Sequence, residues 1–385
     1  MSATVLVLYN PASGDSTAKE FFENHVLPYL NGNGIRPAAV VATEYPGHAG
    51  TVVTDFLQKH HGEVTIVLGS GDGTLHEIVN ALLGRALDAA RVITFALVPC
   101  GTANALFSSL FMSMSETPVV AYKLFSLDAF IARSRPKPLT LARTTLYEGP
   151  TQYIPCHGIV SVVVTSTALH ASILEDSELL RKEIPGIERF KIAAQQNKTR
   201  WYRSRVKLSP VPSTGSVQVY DPDLNALVPF KGSLDLSGPF AYFLSTVNVD
   251  RLEPTFRIAP QFSTALPDGT SLDVVIVRPQ RDPVFTSDTP QAREAFGTKV
   301  FTVLTAAYQD GSHIRLRYKE NGDISEDNDG PTVVEYFRCG GWEWIPDEAD
   351  EKARLVCSDG AILRVAAGGR AVCGAIESNN FLVYG

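Results

Sequence analysis

An apolar run, Val64-Thr65-Ile66-Val67-Leu68, ends in the turn Gly69-Ser70-Gly71-Asp72-Gly73-Thr74. Leu75, Ile78, Val79 and Leu82 follow at helical spacing. That order predicts a buried strand, a turn almost bare of side chains, and an amphipathic helix. The glycines let a ligand come close to the backbone, and the helix start offers unpaired N–H groups that favour phosphate. A connection alone needs neither this many glycines nor the acid, Asp72, at its centre.

The same unit repeats along the first part of the chain. Val5–Tyr9 reads as a strand before a helix at Ala18–Leu30, and Pro37–Thr43 before a helix at Gly50–His60. Ile93–Val98 precedes Ala103–Phe111, and Val119–Arg133 closes the set as another helix. Strands alternating with helices predict a parallel sheet covered by helices, with ligands at the carboxyl ends of the strands.

The pattern changes after Pro136-Lys137-Pro138. Leu139–Leu146, His157–Thr165, Arg203–Leu208, Ser216–Tyr220, Phe240–Val247, Leu272–Val277, Ile314–Tyr318 and Val333–Phe337 read as strands with few helices between them. The expectation is a nucleotide-binding α/β domain over residues 1–137. A mostly antiparallel β-sandwich domain follows over 138–385. Ser209–Gly232 and Arg278–Gln291, rich in Pro, Ser and Asp, read as surface insertions.

A net charge of −7 argues against a nucleic-acid partner. The N-terminus has no basic flank, and no apolar run approaches the roughly 18 residues needed to span a bilayer. Cys100, Cys156, Cys339, Cys357 and Cys373 are odd in number and lack CxxC spacing. Free thiols and a cytoplasmic location are expected.

Two further turns follow strands of the first domain, Asn10-Pro11-Ala12-Ser13-Gly14 and Pro99-Cys100-Gly101-Thr102-Ala103-Asn104. Each couples glycine with hydroxyl or amide groups suited to phosphate, ribose or magnesium-bound water. Singly, each is an ordinary turn or helix cap; together, on one sheet edge, they point to a nucleotide. There is no GxxxxGK[ST], Thr74 stands where a Rossmann fingerprint needs its third glycine, and GxSxG and HExxH are absent.

These residues resemble the diacylglycerol kinase and sphingosine kinase catalytic family, whose fold is related to the NAD kinases. Its Asn-Pro-x-[SG]-G, [GS]-G-D-G-T and P-x-G-[TS]-x-N motifs occur here in that order. Thr43-Glu44-Tyr45-Pro46-Gly47-His48-Ala49, Ser70, and Glu175–Arg181 with Arg189-Phe190 are similar to the sphingosine-kinase-like members. Ser358-Asp359-Gly360 resembles the family's Asp-Gly-Glu.

The resemblance implies an ATP-dependent lipid kinase acting on a sphingoid base, ceramide or diacylglycerol, with Mg²⁺ whose ligands it does not identify. Asp72 would be the general base or help to hold magnesium. Asn10, Ser13, Gly14, Thr43, Ser70, Gly71, Gly73, Thr74, Gly101, Thr102 and Asn104 would bind ATP. Arg181 and Arg189 would reach the phosphates, and Asp359 with Gly360 would return from the C-terminal segment. A membrane-borne substrate implies transient peripheral docking. An NAD kinase and a non-catalytic binding relative are the alternatives.

The chain departs from the pattern in three places. Asp15 follows the first turn where the family often has lysine. Ala361 replaces the glutamate of Asp-Gly-Glu, and Leu174 stands where an acid would pair with a sphingoid amine. Outside the motifs, Asp323–Asp329 reads as an acidic surface turn, and Trp342 and Trp344 as part of a strand edge, packed in the core or paired on the surface. The alternative for Arg181 and Arg189 is that they merely pair with Glu178, Glu183 and Glu188.

Overall fold

The computed structural model describes residues 4–84, 91–112, 117–149, 155–184, 186, 188–265 and 269–385. The chain forms two compact units. One comprises residues 1–141, 251–254 and 377–385, the other 142–250 and 255–376.

The first unit is a three-layer α/β domain. Its strands are β1 (Thr4–Tyr9), β2 (Ala39–Ala42), β3 (Val64–Ser70) and β4 (Ile93–Pro99), in the order β2-β1-β3-β4 and all parallel. Phe381–Val383, the end of the chain's last strand, adds in parallel beyond β4. Its helices are α1 (Ala18–Phe21), which continues through a π-type turn into α2 (Leu27–Gly32), then α3 (His48–Lys59), α4 (Asp72–Leu83), α5 (Ala105–Leu110) and α6 (Val119–Ile131).

Every residue of β3 and β4 is buried, as expected for parallel strands covered on both faces. Val5, Val7 and Tyr9 join Phe22, Val26, Leu30, Leu124 and Leu127 in one core cluster. Leu6 and Leu8, which point the opposite way along the same strand, are equally buried.

The second unit is a β-sandwich with helices. It holds β5 (Lys137–Tyr147, entering at Ala142), β6 (Pro155–Ser161), β7 (Val164–Thr167), α7 (Ala168–Leu180), α8 (Glu188–Asn197), β8 (Ser204–Ser209), β9 (Gln218–Asp221), β10 (Ala226–Pro229), β11 (Asp235–Ser237) and β12 (Tyr242–Thr246). There follow α9 (Gln261–Thr264), β13 (Leu272–Val277), α10 (Pro290–Ala307), β14 (Arg317–Tyr318), β15 (Ile324–Ser325), β16 (Val334–Cys339), β17 (Gly341–Pro346), β18 (Leu355–Ser358), β19 (Ala361–Arg364) and the start of β20 (Arg370–Val383).

One antiparallel sheet runs β10-β9-β16-β13-β12-β7-β18-β19; facing it, β17 lies between β8 and β20. Trp342 and Trp344 join the sheets. Their rings lie 5.1 and 5.3 Å from Phe243, and Trp342 donates to Ser245 Oγ. β17 is therefore an interior strand and not the edge that the alternation suggested, and both indoles are core. The partner that makes it interior, β8, lies far away in sequence and leaves no local trace.

Helices are also more frequent here than expected. Helix α10 begins inside the stretch read as an insertion, with Thr289 Oγ1 accepting from Ala292 N and Pro290 in the first turn. Phe296, Val300, Val303 and Ala307 give it one buried stripe.

Candidate active site

The three glycine turns meet at the carboxyl ends of β1, β3 and β4. Asn10 N donates to Gly69 O at 2.8 Å and Cys100 N to Ser70 O at 3.2 Å, tying each turn to its neighbour. A Cβ placed on Gly101 would lie 2.3 Å from Gly71 Cα. Two backbones this close admit no side chain at either position.

Side chains brace the turns internally. Asn10 Oδ1 accepts from Ala12 N at 2.9 Å. Asn104 clasps Gly101 from both sides, accepting from its N–H at 3.0 Å and donating to its carbonyl at 2.9 Å. Ser70 Oγ donates to Gly71 O, and Thr74 N to the same carbonyl. Thr43 N donates to Tyr9 O, beside the first turn. The hydroxyls of Ser13 and Thr102 make no hydrogen bond among the described residues, which leaves them available to a ligand. Cys100 is an unreactive thiol: burial pushes its pKa up to about 11.

Gly73 differs from the other glycines of the three turns. A Cβ there would meet nothing within 4 Å, and its φ lies outside the left-handed region. It occupies the first turn of α4, where glycine costs stability relative to alanine. Neither packing nor backbone geometry calls for it. The position is exposed and open.

Asp72 opens α4, and its carboxylate reaches the next helix. Oδ2 accepts from Ala105 N at 2.7 Å and Oδ1 from Leu106 N at 3.2 Å, so the acid holds the start of α5. The position expected to do chemistry is thus also an anchor between two turns. Glu77 has a comparable task, with Oε1 accepting from Gly50 N in the first turn of α3.

Arg181, Arg189, Asp359 and Gly360 belong to the second unit. Arg181 is exposed and pairs with Glu178 at 3.0 Å. Arg189 has no carboxylate within 4 Å among the described residues. Its guanidinium lies 4.6 Å from the Phe190 ring, its Nη1 donates to Gly186 O, and its buried Nε has no partner.

Asp359 and Gly360, with φ of 47° and 97°, form the two-residue hairpin between β18 and β19. The Asp359 carboxylate accepts from the backbone N–H groups of Val162, Val163 and Val164 at 2.5, 3.0 and 2.7 Å. That network closes the β6–β7 turn and gives Asp-Gly a structural reason that local turn chemistry already carries in the sequence.

Leu174, at the place where the resemblance expects an acid, packs against the buried cluster Ala171, Leu355 and Cys357. The adjacent acids are engaged. Lys352 bridges Glu175 at 2.8 Å and Asp176 at 2.5 Å, and Arg364 meets Glu175 at 2.6 Å. Sequence reading had marked this acidic stretch but not the cations that occupy it. Among the described residues no group of three or more His, Cys, Asp or Glu is placed to hold a metal.

Comparison with known proteins agrees with this geometry. The sequence model of the diacylglycerol kinase catalytic domain matches residues 4–128. Human sphingosine kinase 2 is 32% identical over 148 residues, 38% of this chain and 22% of that protein. Sphingosine kinase 1 of Arabidopsis thaliana is 31% identical over 212 residues, 54% of this chain and 40% of that protein. The matched stretches thus span less than half of these relatives. A crystal structure of a putative diacylglycerol kinase from Bacillus anthracis str. Sterne superposes with a TM-score of 0.55 at 14% identity, covering 99% of this chain and 94% of that one. The fold is therefore like that of the Bacillus structure, and residues 4–128 match the diacylglycerol kinase catalytic-domain model.

Proposed function

We propose that this protein transfers the γ-phosphoryl group of ATP to the hydroxyl of a lipid. The observation that carries the reading is the meeting of the three glycine turns around Asp72, with Gly73 left open for no internal reason. Phosphoryl transfer is chiefly positioning and charge neutralisation, and the turns supply backbone amides and hydroxyls for the phosphates. Asp72 accepts the proton of the lipid hydroxyl as that oxygen attacks the γ-phosphorus and the bond to ADP breaks. A carboxylate has about four acceptor positions, so the same group can hold α5 and meet a hydroxyl. Of the two arginines, Arg181 pairs with Glu178, whereas Arg189 has no carboxylate within 4 Å among the described residues.

Magnesium would be carried on the triphosphate, which needs only one or two protein carboxylates; Asp72, within the second turn, is the one that would help to hold it. When bound, it neutralises charge on the phosphate oxygens.

The lipid head is best read as uncharged. With Leu174 packed in the core and Glu175 and Asp176 held by Lys352 and Arg364, this stretch offers a sphingoid ammonium no ready counter-charge. Labelled ATP incubated with ceramide, diacylglycerol, sphingoid bases and NAD tests both points. Label is expected in ceramide or diacylglycerol well above sphingoid base. Preferential labelling of the sphingoid base overturns the uncharged-head reading, and label in NAD alone, or nowhere, overturns the lipid-kinase reading.

No described helix is long and apolar enough to cross a membrane. Met112 and Val119 are 69% and 70% exposed, and we assign transient membrane contact to these two side chains and to Val120 at the start of α6. Sedimentation with lipid vesicles checks it. Met112→Asp combined with Val119→Asp is expected to lower the bound fraction several-fold with thermal stability unchanged; undiminished binding counts against it.

A further inference from the structure

We infer that Lys123, on α6, is the cation missing from the first turn, and that its ammonium steadies the phosphates of a nucleotide lying across the first and third turns. This rests on the kinase reading above. None of the three turns contains a lysine or arginine, and Asp15 follows the first of them directly. Lys19, the next cation along the chain, is exposed and faces Glu23 at 3.9 Å. The first and third turns themselves offer an anionic nucleotide only neutral groups beside Asp15, without the charge-assisted contacts that phosphate sites ordinarily use.

Helix α6 supplies what the turns lack. Leu124 and Leu127 share a core cluster with Tyr9, Ala18 and Cys100, the residues that lead into the first turn, follow it and stand in the third. The helix is thus fixed beside both turns. Lys123, next to Leu124, is half-buried, with Nζ 5.0 Å from the Phe21 ring. Among the described residues no carboxylate lies within 4 Å of it. A partly buried ammonium without an ion pair is uncommon, since charge withdrawn from water calls for a counter-charge.

The field of Lys123 reaches the two places that matter. It favours the ionised forms of both Asp15 and Cys100, although the Asp15 carboxyl is held low chiefly by hydrogen bonds from Thr17. Asp15 bonds Thr17 through Oδ1, accepting from its hydroxyl at 2.6 Å and its N–H at 3.2 Å, and does not form an ion pair with Lys123 within 4 Å. The first and third turns touch here: a Cβ on Gly14 would stand 2.5 Å from Cys100 O. Phosphates over that seam would lie beside the only side-chain cation that α6 presents to it. An aromatic face under the ammonium limits its wandering without neutralising it.

Equilibrium binding of ATP and of adenosine to the full chain tests the inference. Lys123→Ala is expected to weaken ATP about tenfold and leave adenosine unchanged; Lys123→Arg is expected to restore most of the loss. Asp15→Asn is expected to tighten ATP a few-fold, with the steeper salt dependence of a more positive site. ATP affinity unchanged in Lys123→Ala, or ATP and adenosine weakened alike, overturns the role of Lys123 while leaving the kinase reading standing. A wild-type chain that binds no ATP overturns both.

Discussion

Asp72→Asn is expected to lower phosphoryl transfer roughly 10²–10⁴-fold, the range a positioned general base contributes, with ATP affinity nearly unchanged. Asparagine keeps an oxygen that can accept from Ala105 N and loses only the longer bond from Leu106 N, so the start of α5 stays held by one bond and the fold survives. Asp72→Ala should lose as much activity and also about 1 kcal/mol of stability, the usual worth of a lost helix cap. The pair of variants separates chemistry from anchoring. Initial rates at saturating ATP, read beside thermal melts, make the comparison. Equal rates for Asp72→Asn and wild type would remove the acid from the mechanism.

The second large effect has two parts that oppose each other. Gly73→Ala should stabilise the protein by about 0.5–1 kcal/mol, because the position is helical and sterically open. On the proposed reading the same methyl group enters space that the phosphates use, so ATP affinity should fall at least tenfold. Gly101→Ala should differ. Its Cβ would meet Gly71 backbone at 2.3 Å, so about 1–3 kcal/mol of stability should go together with nucleotide binding. Denaturant titration and ATP binding on both variants decide this. A Gly73→Ala protein that binds ATP normally would leave its open space without a purpose.

Much of the first unit was legible because its strands are nearly continuous apolar runs and its turns carry strong local signals. β1, β3 and β4 fall within a residue or two of their expected ends, and α4 starts at Asp72 rather than Leu75 because Gly71 is already an extended cap. The second unit was harder. Helix α10 carries Pro290 at its start, a residue that reads as loop punctuation until the stripe behind it is counted.

The site was legible as types of residue, less so as contacts. Asn10, Gly71, Gly101 and Asn104 converge as the motifs implied, whereas the Asp72 bond to α5 spans more than thirty positions and depends on how two loops pack. Lys123 had no motif at all. Its importance comes from α6 lying beside the first and third turns, which only the packed core reveals.

The bond from Asp72 to α5 bears on how such a protein could lose its activity over generations. An acid that both serves catalysis and ties down a helix is retained by selection for folding even when turnover no longer matters. A lineage that gave up phosphoryl transfer would keep Asp72, and Asp359 with its three amides, long after abandoning the reaction. Decay would show first at Ser13, Thr102 and Gly73, whose hydroxyls and open space serve no part of the fold. Those three positions would be the ones to watch, because folding alone gives no reason to keep them.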